Sequence, residues 1–134
     1  MSKRRDCEER FRKRYSAPVV EAALVVEREV IGANVGANGY TTVEQADMLA
    51  QRLGLMAGAT LLDIGSGRGW PALYLAAKTG CRAVLADLPQ AAVAAAIGRA
   101  DDQRLSGVSV TRASATHLPF RAASFDVITH TDTL

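Results

Sequence analysis

A short apolar run that breaks into three glycines spaced two apart constrains this chain more than anything else in it: Leu61-Leu62-Asp63-Ile64-Gly65-Ser66-Gly67-Arg68-Gly69-Trp70-Pro71. Thr60–Ile64 reads as a buried strand, and Pro71 suits the first turn of a following helix. Between them, Gly65 and Gly67 let the backbone turn sharply and bring a ligand close with no Cβ in the way. The free amides of the next helix then face anything that carries negative charge. A glycine turn alone is weak evidence of a site, because tight strand–helix turns need glycine for steric reasons. Its value depends on what surrounds it.

The surroundings alternate. After the turn come a helix over Pro71–Thr79 with Gly80 as its exit and a second strand over Arg82–Ala86. An alanine-rich helix follows over Gln90–Arg104, with Val93 and Ile97 on one face, then strands at Val108–Ala113 and Phe125–Thr129. Strands separated by helices of this length predict a parallel sheet with right-handed crossovers, an α/β fold. Upstream, Pro18 opens a helical pattern that ends near Gly32, and Gly32–Tyr40 is a loop rich in Gly and Asn. Thr41 and Glu44 have capping-box spacing for a helix that runs to about Leu53 and stops at Gly54. The expected organisation is a basic arm (1–17), a helical segment capping the site (18–58) and a sheet-bearing unit (59–134).

Charge and cysteine usage exclude some classes of function. The formal net charge of +2 is too small to argue for nucleic acid across the whole surface. It is uneven, because residues 1–14 hold seven basic side chains against three acidic ones. Such an arm is ordinarily a solvated or frayed terminus, and gripping a polyanion or a membrane surface is the alternative. Cys7 and Cys81 are too far apart in sequence for a disulfide framework, and no metal site is expected beside them. Without an apolar signal core or a run of about 18 apolar residues, a cytoplasmic protein with no membrane contact is expected.

Spacing separates the possible ligands. A dinucleotide fingerprint has glycines at its first, third and sixth places, whereas here they fall at first, third and fifth, with bulky Trp70 sixth. Asp63, two residues before the first glycine, can accept hydrogen bonds from an ammonium group over the turn. Asp87, at the end of the second strand and 18 residues beyond Gly69, can accept two from the vicinal hydroxyls of a ribose. Its other reading is a cap for the helix that starts after Pro89.

Together Asp63-Ile64-Gly65-Ser66-Gly67-Arg68-Gly69, Asp87, Leu118-Pro119-Phe120 and Ser124-Phe125-Asp126-Val127 resemble the successive motifs of class I S-adenosylmethionine-dependent methyltransferases. The narrower resemblance is to the small-molecule branch of the ubiquinone/menaquinone-biosynthesis type, and it covers residues 36–134. It implies a Rossmann-like three-layer sandwich with sheet order 3-2-1-4. Asp63, Gly65 and Gly67 would surround the methionine moiety, Asp87 the ribose and Leu88 one face of the adenine, with Ser66 of the turn a further cofactor-binding residue. Ser114, Ala115 and Thr116 would meet the adenine edge, although relatives often carry Asp where this chain has the weaker acceptor Ser114. Tyr40 either folds over the methionine end or packs beside a helix start.

His130 and Asp132, after the fourth strand, are candidate catalytic residues. A histidine there can act as general base on a phenol or enol, and an ordinary polar strand end is the alternative. His117, in a loop, carries little. Relatives that methylate nucleic-acid amino groups have an Asn/Asp-Pro-Pro-Tyr/Phe motif in this place. The chain has His130-Thr131-Asp132-Thr133, so a small-molecule acceptor is expected and nucleic acid is not.

The resemblance implies seven strands, so the domain is expected to stop short after its fourth. An open edge would then invite pairing with a second copy. The rival readings are a noncatalytic nucleoside-binding or interaction module that keeps the fold, and a nicotinamide oxidoreductase, which the glycine spacing disfavours.

Overall fold

A computed structural model describes residues 3–131. Helices α1 (Lys3–Ser16), α2 (Glu21–Ile31) and α3 (Val43–Arg52) precede an alternating unit. That unit comprises β1 (Thr60–Ile64), α4 (Ala72–Thr79), β2 (Arg82–Asp87), α5 (Gln90–Asp102), β3 (Val108–Arg112) and β4 (Val127–Thr129). The strands form one parallel sheet ordered β3-β2-β1-β4, as the expected α/β topology requires. Leaving β1, the chain steps outward through β2 and β3, then crosses back to place β4 on the other side of β1. The strand order therefore reverses between β1 and β4, beside the glycine turn, and open parallel sheets bind ligands at such a point.

The core lies where this topology brings apolar side chains together. Leu61, Leu62 and Leu85 from β1 and β2 are buried with Leu73 and Leu75 of α4. Asp126 anchors the start of β4, its Oδ2 accepting hydrogen bonds from the backbone N–H (2.8 Å) and hydroxyl (2.9 Å) of Thr60. No described helix is long and apolar enough to cross a membrane.

Three expectations need correction. The basic arm is not frayed: residues 3–16 are helical, and α1 packs against α5. Phe11 and Tyr15, one turn apart on α1, stack with ring centroids 6.3 Å apart. The capping box lies one residue later than expected. Thr42 Oγ1 accepts the Gln45 N–H (3.1 Å) and Gln45 Oε1 accepts the Thr42 N–H (3.0 Å). That shift leaves the Thr41 carbonyl to receive the indole N–H of Trp70 at 2.8 Å. Finally, Val93 is buried but Ile97 is 43% exposed. The buried face of α5 is built on small residues, Ala92, Ala96 and Ala100, which hold the helix close to the sheet and rotate Ile97 outward.

Candidate functional site

The carboxyl ends of the four strands collect most of the residues that the sequence singled out. Gly65, Gly67 and Gly69 all have positive φ (70°, 55° and 103°), where side chains with a Cβ are strained. A Cβ on Gly67 would lie 3.0 Å from the Tyr15 hydroxyl, and one on Gly69 would overlap Leu73. Asp87 acts on the turn directly: Oδ2 accepts the Gly67 N–H at 2.7 Å and Oδ1 accepts the Leu88 N–H at 2.7 Å. It does not cap α5, whose N-cap is Pro89 with no side-chain bond. A carboxylate offers about four acceptor positions, so two remain for a ligand.

Asp63 is placed differently from its expected role. It is 1% exposed and accepts a 2.7 Å hydrogen bond from the Thr129 hydroxyl, which ties β1 to β4 below the turn. Burial pushes its carboxyl up to about 7; Thr129 opposes this and the charge of Asp87 adds to it. The carboxylate therefore does not line the cavity above.

That cavity, about 70 Å³, is bounded by Gly65, Ser66, Gly67 and Trp70 below and by Phe11 and Tyr15 of α1 above. Ser66 is buried, and its hydroxyl has no partner among the described residues. Tyr15 carries a phenol held above its ordinary pKa, chiefly by burial and next by Asp87, against the pull of Arg14, Arg68 and Asn38. The Arg68 guanidinium lies over the Tyr15 ring at 5.4 Å. Tyr15 is the residue that sequence reasoning missed. Its only signal was the Phe11/Tyr15 spacing inside a charged segment.

The other candidates are dispersed around this centre. Ser114 and Thr116 form a small turn after β3, with their hydroxyls 2.9 Å apart and the Thr116 hydroxyl 2.8 Å from His117 Nδ1. The Ala113 N–H donates to the Asp87 carbonyl at 3.0 Å, so this turn, with Ala115, stands beside the end of β2. Tyr40 is 81% exposed and stays outside the glycine-turn cavity. It lines instead a groove of about 470 Å³ with Gln45, Met48 and Leu49. Thr131 borders both spaces, so they adjoin at the end of β4. His130 is exposed there, and Asp132 lies outside the described residues.

Comparison with known proteins decides the family. A family model described as "Methyltransferase domain" matches residues 62–134, more than half of the chain. The chain belongs to that family. It is the S-adenosylmethionine-dependent class that the motifs resemble, and S-adenosylmethionine is the cofactor that goes with it.

The chain is similar to methyltransferase GfsG of Streptomyces halstedii, 39% identical over 83 residues, which is 61% of this chain and 30% of that protein. Among solved structures it resembles phosphoethanolamine N-methyltransferase 2 of Haemonchus contortus (TM-score 0.72, 21% identity, 94% of this chain and 29% of that one). It also resembles the [4+2]-cyclase SpnF (TM-score 0.62, 27% identity, 78% and 43%). The chain thus spans about a third of the length of the curated methyltransferase it matches.

Proposed function

We propose that the chain binds S-adenosylmethionine at the Gly65–Gly69 turn and serves in-line methyl transfer to a small-molecule acceptor, of the kind met in the ubiquinone/menaquinone-biosynthesis branch. The observation that carries this reading is the Asp87 carboxylate. It grips the Gly67 amide at the point of strand reversal, with acceptor positions left for ribose hydroxyls. The residues present fit the cofactor: a turn with no Cβ at its crest, an unpartnered hydroxyl on Ser66, and neighbours at Leu88 and Ser114–Thr116 for a base.

The cofactor supplies an electrophilic methyl group, so the protein has mainly to align the acceptor and exclude water. The Tyr40–Met48–Leu49 groove, adjoining the cavity at Thr131, is where an apolar acceptor would be aligned. His130, exposed at the end of β4, would take the proton from a phenol or enol.

Calorimetry tests the reading. S-adenosylhomocysteine should bind and NAD should not. Asp87→Ala should weaken binding about tenfold to a hundredfold, the scale of losing bonds to a charged acceptor, while the fold persists. NAD binding without binding of S-adenosylhomocysteine would overturn it. A second reading, in which the fold serves something other than methyl transfer, is favoured by one observation: SpnF, 27% identical to this chain, is a [4+2]-cyclase.

A further inference from the structure

A second cleft, of about 310 Å³, lies between the end of α1, the start of α2 and α5. Three arginines line it, Arg14, Arg68 and Arg99, and among the described residues its single carboxylate is Glu27. Glu27 is already used: its Oε1 accepts the backbone N–H groups of Val35 (3.2 Å) and Ala37 (2.7 Å). None of the three guanidinium groups forms an ion pair with a described residue. Arg14 donates to the Asn38 carbonyl (2.6 Å), and Arg68 to Asn38 Oδ1 (3.2 Å) and the Arg14 carbonyl (3.3 Å).

The Arg99 guanidinium makes no hydrogen bond with any described residue. Its half-buried guanidinium lies across Gly36, so close that any Cβ there would overlap it, and Gly36 has φ +72°. A cation partly withdrawn from water without an acceptor is costly, and two like charges facing the same space add to that cost.

The apolar part of the lining has a complementary deficit. Val19 and Val20, 63% and 59% exposed, line the same cleft with Leu24. One cationic donor without an acceptor, with two more guanidinium groups beside it, thus stands in the same cleft as apolar side chains without cover. One kind of ligand answers both. A carboxylate or phosphate presents the oxygens that a guanidinium fork matches, and an apolar body would cover the valines. The volume is at the lower end of the range for small-ligand sites.

We propose that this cleft binds a soluble amphipathic anion, a carboxylate or phosphate monoester on an apolar body, held at Arg99. Arg14, Gly36 and Arg68 border both this cleft and the glycine-turn cavity, so the two adjoin, but Arg99, Glu27 and the valines line the cleft alone and set it apart from the site assigned above. The test is titration of the whole chain with octanoate, octyl phosphate, octanol and inorganic phosphate, with and without saturating S-adenosylhomocysteine.

At least one of the two amphipathic anions should bind tenfold or more tightly than octanol and inorganic phosphate. Arg99→Gln should weaken it at least tenfold with the thermal melt and S-adenosylhomocysteine affinity unchanged, and exposed Val20→Asp should weaken it independently of any change at Arg99. Equal binding of octanol, indifference to both substitutions, or competitive displacement by S-adenosylhomocysteine would overturn the proposal. So would binding confined to phosphatidylglycerol vesicles, with none of soluble octyl phosphate. Because affinity for S-adenosylhomocysteine is measured on the same samples, failure here is distinguishable from failure of the cofactor reading.

Discussion

Asp63 and Asp87 stand two strand-ends apart and face opposite demands. Asp87 accepts two amide N–H groups at the rim of the turn, whereas Asp63 is sealed beneath it with Thr129. The consequence for pH follows from the raised value. In the unfolded chain Asp63 loses its proton near 3.8, and in the folded chain at about 7. Between those values the folded state holds a proton that the unfolded state has released, so stability falls as pH rises through the window and levels off above it. The slope from this one group is at most about 1.4 kcal/mol per pH unit. Denaturant titrations from pH 4.5 to 8 should show this decline, and Asp63→Asn should flatten it. An unchanged slope in the variant would show that another group is responsible. The strand-end acids were legible because glycine spacing fixed where the turn lies. The Asp63–Thr129 bond was not, since it joins residues 66 apart that only the β1–β4 pairing brings together.

At the level of elements, the strands and crossover helices were readable from apolar runs and glycine stops, because local turn chemistry sets those boundaries. Helix α1 was not. Its sequence is dominated by charge, and its helicity in place comes from packing on α5 and over the glycine turn. That position has a functional cost. The 70 Å³ left beneath Tyr15 is well under the roughly 300 Å³ at which small-ligand pockets begin. A ligand group seated on the turn itself and larger than this space requires α1 to shift. Tyr15→Ala removes the ring that covers the turn. In stopped-flow measurements with S-adenosylhomocysteine, the variant should show both association and dissociation rates several-fold faster than the parent. An unaltered association rate would mean that α1 is not in the way.

For the molecule as a whole, the four-stranded order puts β4 at one end of the sheet, with Ile128 57% exposed on it. An edge strand offers unpaired backbone groups to any second chain. Helix α2 adds a competing surface: Val26 and Val30, one turn apart, are 57% and 53% exposed. Either surface would gain about 25 cal/mol for each Å² of apolar area withdrawn from water, so association is expected for this 134-residue chain. The two differ in what stops them. Pairing through β4 depends on backbone hydrogen bonds, so an Ile128→Lys substitution, placing a charge on the edge strand, should abolish it. Pairing through α2 depends on side-chain contact alone and should yield to Val26→Glu. Light scattering across a concentration series should show mass rising with concentration in the parent and a monomer in Ile128→Lys, with Val26→Glu still associating. The reverse pattern would assign self-association to α2, and a parent that stays monomeric throughout would show that neither surface drives it.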